Sequence, residues 1–299
     1  MTAGLVRRLL FSLYVMVFFA YLFGPLAVMG VTAFNSSAYP QVVPFEHVTL
    51  HWFAALTDDD ALMQGLATSL RIGVLVVLVS VPIGLAGALV MQQVYARARA
   101  LYYLVVVSPV LTPGVIIGIS TVIFWRDLTG ITHTRFLYDG VTLTVLGQSS
   151  FVSAYCMLIF LARLQRFDAS LAEAALDLGA SRAQVFAHIL LPFLRPAVLS
   201  AAVLAFLASF ENYNTTTFSI LADKTLTTVL AGRVRQGTTP ALSALAVVIV
   251  ALTVLGAVAY EALLRREDRR KLAEHRTARE TERQELRTAA RPSDATITA

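Results

Sequence analysis

The sequence predicts an all-α membrane protein with six transmembrane helices and both termini in the cytoplasm. Hydrophobic residues make up 57% of the 299 residues and charged residues 14%, with a mean hydropathy of +0.69. These values are too apolar for a soluble protein of this length. In addition, six apolar runs are long enough to cross a hydrocarbon core, which needs about 20 residues per helix. Basic residues are also enriched on one side of these runs, as is typical of the cytoplasmic face.

The six predicted spans cover residues 9–33, 69–91, 101–125, 141–164, 197–220 and 241–264. The first run could instead be a signal peptide, because Val31-Thr32-Ala33 is an acceptable cleavage site. However, the apolar region of a signal peptide is only about 7–15 residues long, and this run is longer. The pattern therefore favours an uncleaved first span.

The distribution of Lys and Arg predicts the orientation. With both termini inside, eighteen of these residues lie on the cytoplasmic side and six on the outer side. Residues 1–8 then form a cytoplasmic N-terminus, and residues 9–264 form the transmembrane domain, with its core from about residue 65. Residues 265–299 form a cytoplasmic tail of ten basic and seven acidic residues, which carries too little apolar surface to fold alone.

The loop between the fourth and fifth spans, residues 165–193, predicts two short capped helices. Ser170 with Glu173 has the spacing of a capping box, and Gly179 is placed to end that first helix in a left-handed conformation. Ser181 with Gln184 predicts a second capping box, and Pro192 is expected to end the second helix. Apolar residues follow at helical spacing in both, at Leu171, Ala174, Ala175 and Leu178 and then at Val185, Phe186, Ile189 and Leu190.

The sequence lacks the common motifs of nucleotide-binding, hydrolytic and metal-binding proteins. Its two lysines, Lys224 and Lys271, do not follow a glycine, so the chain has no phosphate-binding loop. The sequence also lacks a serine-nucleophile elbow, a zinc-type His-Glu-x-x-His pair and any other metal-ligand spacing.

The acidic run 58–60 could bind a cation or start a helix, and the second interpretation is favoured. Cys156, the single cysteine, is expected to be a packing residue. We therefore expect neither enzymatic activity nor a bound metal or cofactor.

Polar and helix-breaking residues within the spans indicate a translocation path. Pro109 and Pro113 interrupt the third run, and the Gly114-x-x-x-Gly118 spacing permits close approach of another helix. Glu211 lies in the fifth run, where an ionisable side chain costs about 2.5–3.5 kcal/mol and should face a cavity or a partner. If the run is one helix, Asn214, Thr215 and Phe218 extend a partly polar stripe from Glu211. Tyr213 and Phe210 are the aromatic neighbours expected beside a cation, although a structural hydrogen bond to a second subunit is the alternative for Glu211.

A family resemblance rests on the loop residues Glu173-Ala174-Ala175, Gly179, Ile189, Leu191 and Pro192. Their spacing resembles the signature loop of permease subunits of binding-protein-dependent ABC importers of type I. Residues 35–37, 108–109 and 209–213 further resemble the spermidine/putrescine branch, and the resemblance covers about residues 9–264. One departure weakens the substrate assignment, because Glu211 is followed by Asn212 where that branch tends to carry paired acids.

The resemblance implies a multi-pass subunit of a bacterial cytoplasmic (inner) membrane importer. Its expected partners are ATPase subunits that hold Mg-ATP, a second permease subunit, an extracytoplasmic solute-binding protein and the lipid bilayer, but no nucleic acid. The seven signature residues would couple to the ATPase, and polyamine is the expected substrate. Iron(III), thiamine, a phosphonate or an opine is the alternative substrate. An ion-coupled secondary transporter would need inverted repeats, which are not evident, and a membrane-embedded enzyme would need polar groups on several spans.

Overall fold

The computed structural model describes residues 2–133, 137–256 and 258. All regular secondary structure in this part of the chain is helical. It contains one isolated bridge, between Asn35 and Val48, and no strand. The helices are α1 (Thr2–Phe34), α2 (His51–Thr57), α3 (Asp60–Gln93), α4 (Ala96–Leu111), α5 (Gly114–Thr132), α6 (Gly140–Leu164), α7 (Ala169–Asp177), α8 (Arg182–Val185), α9 (Leu191–Phe210), α10 (Thr216–Ser219), α11 (Leu226–Gln236) and α12 (Pro240–Gly256). A π-helical turn, Phe186–Leu190, joins α8 to α9.

Five helical segments among the described residues are long and apolar enough to cross a bilayer. They are Gly4–Phe34, Asp60–Gln93, Gly114–Thr132, Gly140–Leu164 and Arg182–Phe210. The shorter apolar helix α12 covers the described part of the predicted sixth span, and residues 259–264 of that span lie outside the described residues. The all-α fold class is confirmed, whereas the count of six spans and the cytoplasmic termini stay predictions. The charged tail 265–299 also lies outside the described residues.

The third predicted span, residues 101–125, consists of two helices with the break next to Pro113, one of the two prolines that interrupt the run. Helix α4 ends at Leu111 and α5 begins at Gly114, because Pro113 has no N–H to continue the helical ladder. The backbone carbonyls released by this break find local donors. The Thr112 N–H bonds the Pro109 carbonyl at 3.2 Å, and the Thr112 hydroxyl bonds the Ser108 carbonyl at 3.0 Å. The interruption therefore leaves few backbone carbonyls without a hydrogen bond.

Residues 54–238 form a compact unit with a core built from α3, α6 and α9. The buried positions of α9 form a helical stripe of mostly small residues: Leu194, Ala197, Ala201, Ala205 and Ser209. Small residues on α3 have the same effect, since a Cβ on Gly84 would lie 2.4 Å from the Cβ of Cys156 on α6. Cys156 is buried, as expected for a packing residue. Because lipid tails are as apolar as the side chains, such close packing is what stabilises helix association in a bilayer.

Residues 2–53 and the described residues from Thr239 onward form a second compact unit. Helix α1 continues without a break past the possible cleavage site at residues 31–33. The loop that follows is organised by the buried side chain of Asn35, whose amide donates to the carbonyls of Gln41 and Pro44 at 3.0 and 3.2 Å. Its Oδ1 accepts the N–H of Glu46 at 3.1 Å, so this polar loop has a defined conformation.

Candidate functional site

The first helix of the loop 165–193 is capped by Asp168. The Asp168 side chain accepts the backbone N–H of Ser170 at 3.0 Å, and α7 begins at Ala169. The predicted Ser170–Glu173 capping box is therefore wrong, because an aspartate two residues earlier takes the N-cap position, where it is among the best residues. Hydrogen bonds from Ser170 also lower the pKa of the Asp168 carboxyl, which keeps it charged at the positive end of the helix dipole.

Gly179 ends this helix in a positive-φ conformation, as the sequence predicts. Its φ is 88°, a region that residues with a Cβ adopt only with strain. The N–H of Gly179 bonds the Leu176 carbonyl at 2.9 Å, and the N–H of Ala180 bonds the Ala175 carbonyl at 3.0 Å. This pair of bonds is a Schellman motif, which fixes the turn between the two helices.

The second capping box is confirmed. The Ser181 hydroxyl accepts the Gln184 N–H at 3.3 Å, and the Gln184 side chain accepts the Ser181 N–H at 2.7 Å.

The prediction that Pro192 ends this helix is wrong, because the helical path continues to Phe210. In the π turn the Leu191 N–H bonds the Phe186 carbonyl, and Pro192 then falls in the first turn of α9. Proline is tolerated in a first turn, where its missing N–H has no intrahelical partner.

The signature residues of this loop are largely exposed. No side chain of α7 is buried, and Glu173 and Ala174 are exposed while Ala175 is half-buried. The large apolar side chains are exposed as well, Leu171 at 55% and Leu178 at 89%. In the second part of the loop Leu191 is exposed, and Ile189 and Pro192 are half-buried. The loop thus combines a rigid backbone with an apolar surface that this unit does not cover.

Sequence reasoning missed the anchor at the base of the loop. The Arg163 guanidinium at the end of α6 stacks over the Phe193 ring at 4.2 Å, and its Nε donates to the Phe193 carbonyl at 3.3 Å. Phe167 packs against the same ring, with centroids 5.1 Å apart. Arg163 therefore ties the end of α6 to the start of α9 on both sides of the loop. An arginine and a phenylalanine flanking the signature spacing were the only signal in the sequence.

The prediction of one continuous fifth span over residues 197–220 is also wrong. Helix α9 ends at Phe210, residues 211–215 are non-helical, and α10 follows as a single turn. Asn212 explains the interruption, because its side chain accepts the backbone N–H groups of Thr215 and Thr216 at 3.1 and 3.3 Å. This is the capping behaviour by which asparagine competes with helix continuation.

The interruption disperses the stripe that the sequence predicted from Glu211. Glu211 is the C-cap of α9 and is exposed, and Asn214 and Phe218 are exposed too, whereas Thr215 is fully buried. Among the described residues, no side chain donates a hydrogen bond to the Glu211 carboxylate. Tyr213 is half-buried, and its hydroxyl accepts a hydrogen bond from Arg235 on α11 at 3.1 Å. Glu211, Tyr213 and Asn214 therefore share one short non-helical segment rather than one helix face.

The structure brings this segment against the interruption between α4 and α5. A Cβ on Gly114 would lie 2.9 Å from the Thr215 hydroxyl, and a Cβ on Gly118 would lie 2.5 Å from the Thr215 carbonyl oxygen. The predicted close approach at Gly114 and Gly118 is thus confirmed, with a non-helical partner. Pro113 is exposed beside Gly114, and Pro109 is half-buried one turn earlier on α4. Two broken helices meet at this point, which in a membrane requires burial in protein or a water-lined cavity.

The acidic run 58–60 acts as a helix start. Asp59 is the N-cap of α3 and accepts the Leu62 N–H at 3.1 Å, and it also forms an ion pair with Arg233 on α11. Partial burial raises the pKa of the Asp59 carboxyl, but the hydrogen bonds and the charge of Arg233 outweigh it and lower the pKa overall. Within the described ranges, no group of three His, Cys, Asp or Glu residues could hold a metal ion.

Comparison with known proteins identifies relatives of this arrangement. The family described as "binding-protein-dependent transport system inner membrane component" matches residues 80–269. The putrescine transport system permease protein PotI of Escherichia coli (strain K12) is 30% identical over 258 residues, which cover 84% of this chain and 90% of the relative. The spermidine/putrescine transport system permease protein PotC of the same strain is 25% identical, over 87% of this chain and 96% of that protein.

A solved structure shares the fold. It is a chain of the bacterial alginate ABC transporter in complex with alginate pentasaccharide-bound periplasmic protein. The TM-score is 0.63 at 21% sequence identity, and the match covers 86% of this chain and 92% of the other. Both interrupted spans and the loop 165–193 lie within residues 80–269, the range that the family matches.

Proposed function

Because the chain belongs to the family of inner-membrane components of binding-protein-dependent transport systems, we propose that it is a permease subunit of an importer that takes up polyamines. The family places it in the inner membrane as an ABC importer permease, a transport component rather than an enzyme.

One observation carries the coupling role of the loop 165–193, here called the coupling loop. Its two capped helices are rigid, and Leu171 and Leu178 are exposed in a part of the loop that lies outside the apolar segments long enough to cross a bilayer. Exposed apolar groups on a rigid polar-rimmed element are typical of a protein-binding surface. We therefore infer that a separate ATPase subunit, which holds Mg-ATP, docks on Glu173, Ala174, Ala175, Gly179, Ile189, Leu191 and Pro192. Its motion would reach α6 and α9 through the Arg163–Phe193 anchor.

Two further partners follow from the family. Systems of this type depend on a binding protein, and the alginate transporter that shares the fold was solved with a periplasmic protein bound. A second permease subunit would complete the translocation path, and α1 offers an apolar surface that is exposed over most of its length, up to its buried end at Thr32 and Ala33. We propose that this subunit, the lipid bilayer or both cover that helix.

The position of Glu211 supports a cationic substrate. Helix α9 has 20 residues from Leu191, so Glu211 lies about 30 Å along it, roughly the thickness of the hydrocarbon core. Glu211 is thus at the end of α9 that is remote from the coupling loop, which is the predicted outer side. The Glu211 carboxylate shares its non-helical segment with Tyr213, Asn214 and Thr215, and Pro109 and Pro113 flank the break between α4 and α5 that packs against this segment. We propose that these residues line the translocation path and that the carboxylate binds an ammonium group.

The test is uptake by the complete complex with Glu211→Gln. This change keeps the size of the side chain and removes its charge, so putrescine uptake should fall about tenfold, equivalent to ~1.4 kcal/mol. Assembly with the ATPase and basal ATP hydrolysis should persist. Asp127→Asn is the matched control, because it removes an exposed carboxylate of α5 and should leave uptake unchanged. Normal uptake by Glu211→Gln, or a complex that no longer assembles, would give Glu211 a structural role instead.

The substrate itself is tested with the wild-type complex. Labelled putrescine and spermidine should be taken up in an ATP-dependent manner, and unlabelled polyamine should compete. Competition by iron(III), thiamine, a phosphonate or an opine, with no effect of polyamine, would retain the importer and overturn the polyamine assignment. Uptake that follows a proton or sodium gradient and needs no ATPase would contradict the importer mechanism itself.

A further inference from the structure

Gln148 is a buried polar residue of α6 that lies outside both the coupling loop and the segment 211–215. Its side chain is 1% exposed, and both ends of its carboxamide are used. The Oε1 atom accepts a hydrogen bond from the Ser209 hydroxyl, and the Nε2 group donates to the Thr216 hydroxyl at 2.8 Å. A buried carboxamide without such partners would cost several kcal/mol, so these contacts fix its position.

The two partners of Gln148 lie on opposite sides of the interruption 211–215. Ser209 is in the last turn of α9, and Thr216 is the first residue of α10. The Thr216 hydroxyl in turn donates to the Asn212 carbonyl at 2.7 Å, and the Thr227 hydroxyl of α11 reaches the same oxygen at 3.2 Å. One side chain of α6 thereby connects both ends of the break and, through Thr216, its interior.

A second contact one turn away strengthens this connection. Thr144, four residues before Gln148 on the same face of α6, forms a hydrogen bond with Ser219 of α10 at 2.9 Å. The two contacts hold the turn of α10 against α6 in a fixed register. Helix α6 also carries the Arg163 anchor of the coupling loop at its other end, so it contacts both functional elements.

We propose that Gln148 is the positioning residue of the translocation path, which holds segment 211–215 in its non-helical conformation and thereby fixes Glu211. This proposal rests on the proposed role of Glu211 in transport. The physical reason is that the Ser209 hydroxyl could otherwise bond a carbonyl of its own helix. The sequence pattern alone predicts a continuous helix here. Asn212 caps the break locally, and the two hydrogen bonds of Gln148 from α6 hold its two ends in this conformation.

The experiment compares Gln148→Leu, Gln148→Glu and wild type in the purified complete complex in lipid nanodiscs. Gln148→Leu removes both hydrogen bonds at similar volume. Gln148→Glu keeps the acceptor for Ser209, replaces the Nε2 donor to Thr216 with a carboxylate oxygen and brings a negative charge into this buried site. Ser153→Ala is the control, because Ser153 is buried on the same helix but its hydroxyl bonds only the Ser149 carbonyl of α6.

Two readouts make the result decisive. Hydrogen exchange of the Thr215 and Thr216 amides should be at least about tenfold faster in Gln148→Leu, intermediate in Gln148→Glu and unchanged in Ser153→Ala. The KM for putrescine uptake, measured after the same complex is reconstituted into sealed proteoliposomes, should rise about tenfold in Gln148→Leu while ATPase binding is retained. If amides throughout Gln148→Leu exchange faster, this variant is misfolded. The exchange of the Thr215 and Thr216 amides in Gln148→Glu then decides whether Gln148 has the positioning role.

The outcomes separate this proposal from the proposed function. Unchanged or slower exchange at 215–216 would overturn the positioning role whatever the substrate is. Faster exchange with an unchanged KM in a complex that transports putrescine would also overturn it, because the segment would then not serve transport. If the wild-type complex fails to transport polyamine, the proposed substrate is wrong, and the exchange data still decide whether Gln148 holds the interruption.

Discussion

Gly179 is the residue at which backbone conformation alone controls the coupling loop. Its φ of 88° is unfavourable for any residue with a Cβ, yet no heavy atom lies within 4 Å of the position that a Cβ would occupy. A substitution there therefore tests conformational strain without a steric clash. The left-handed region costs roughly 1–2 kcal/mol for ordinary residues, whereas asparagine tolerates it better.

We expect Gly179→Val to insert into the membrane normally and to lose most of its ligand-stimulated ATP hydrolysis, because the strain disrupts the Schellman turn between α7 and α8. Gly179→Asn is the matched control and should retain stimulation close to wild type. The measurement is ATPase activity of the reconstituted complex with and without loaded binding protein. Full stimulation in Gly179→Val would show that the shape of this turn does not matter for coupling.

At the scale of elements, glycines set how closely α5 approaches the non-helical segment 211–215. A methyl group on Gly118 would lie 2.5 Å from the Thr215 carbonyl oxygen, whereas one on Gly130 of the same helix would meet nothing within 4 Å. Backbone atoms cannot move aside as a flexible side chain can, so overpacking at this point should cost about 1–3 kcal/mol.

Gly118→Ala should therefore lower the thermal unfolding temperature of the purified protein, or of its complex, by several degrees. Gly130→Ala places the same methyl group on the same helix in open space, and it should be neutral or slightly stabilising because alanine is the better helix former. Unfolding followed by circular dichroism in detergent distinguishes the two variants. Equal stability of both would mean that α5 and the segment around Thr215 are not in close contact.

At the scale of the whole molecule, the orientation in the membrane rests on the Lys and Arg distribution. The structure improves the choice of positions to test it. By its position in the sequence, Ser37 in the predicted outer loop would suit replacement by a cysteine for labelling. However, it is only 4% exposed, whereas Tyr39 is 74% exposed. On the predicted cytoplasmic side, Tyr95 between α3 and α4 is 87% exposed. The native Cys156 is buried and should stay silent.

An impermeant thiol reagent added to intact cells should label Tyr39→Cys and should leave Tyr95→Cys unlabelled until the membrane is permeabilised. Ser149→Cys should be protected in both conditions, because Ser149 is buried on α6. Labelling of position 95 from outside would invert the topology and would place the coupling loop on the wrong side for an ATPase.

The sequence by itself determined the class of the protein and the local chemistry of its loop. Composition and the apolar runs predict an all-α membrane protein, since a bilayer imposes length and hydropathy on each span. Cap residues act within a few positions of themselves, so Gly179 and the Ser181–Gln184 box could be predicted from spacing alone. The signature spacing in the same loop carried the family resemblance, which the comparison confirmed.

The tertiary structure decided where the spans break and which side chains meet there. Both interrupted segments are apolar enough to be predicted as spans, and the second interruption is contacted by a residue distant in sequence, because Gln148 of α6 bonds Ser209 and Thr216. The Asp168 cap and the π turn before Pro192 are different, because each rests on a hydrogen bond within its own segment. Hydropathy and spacing describe one segment at a time, whereas the contacts of Gln148 join α6 to two other helices.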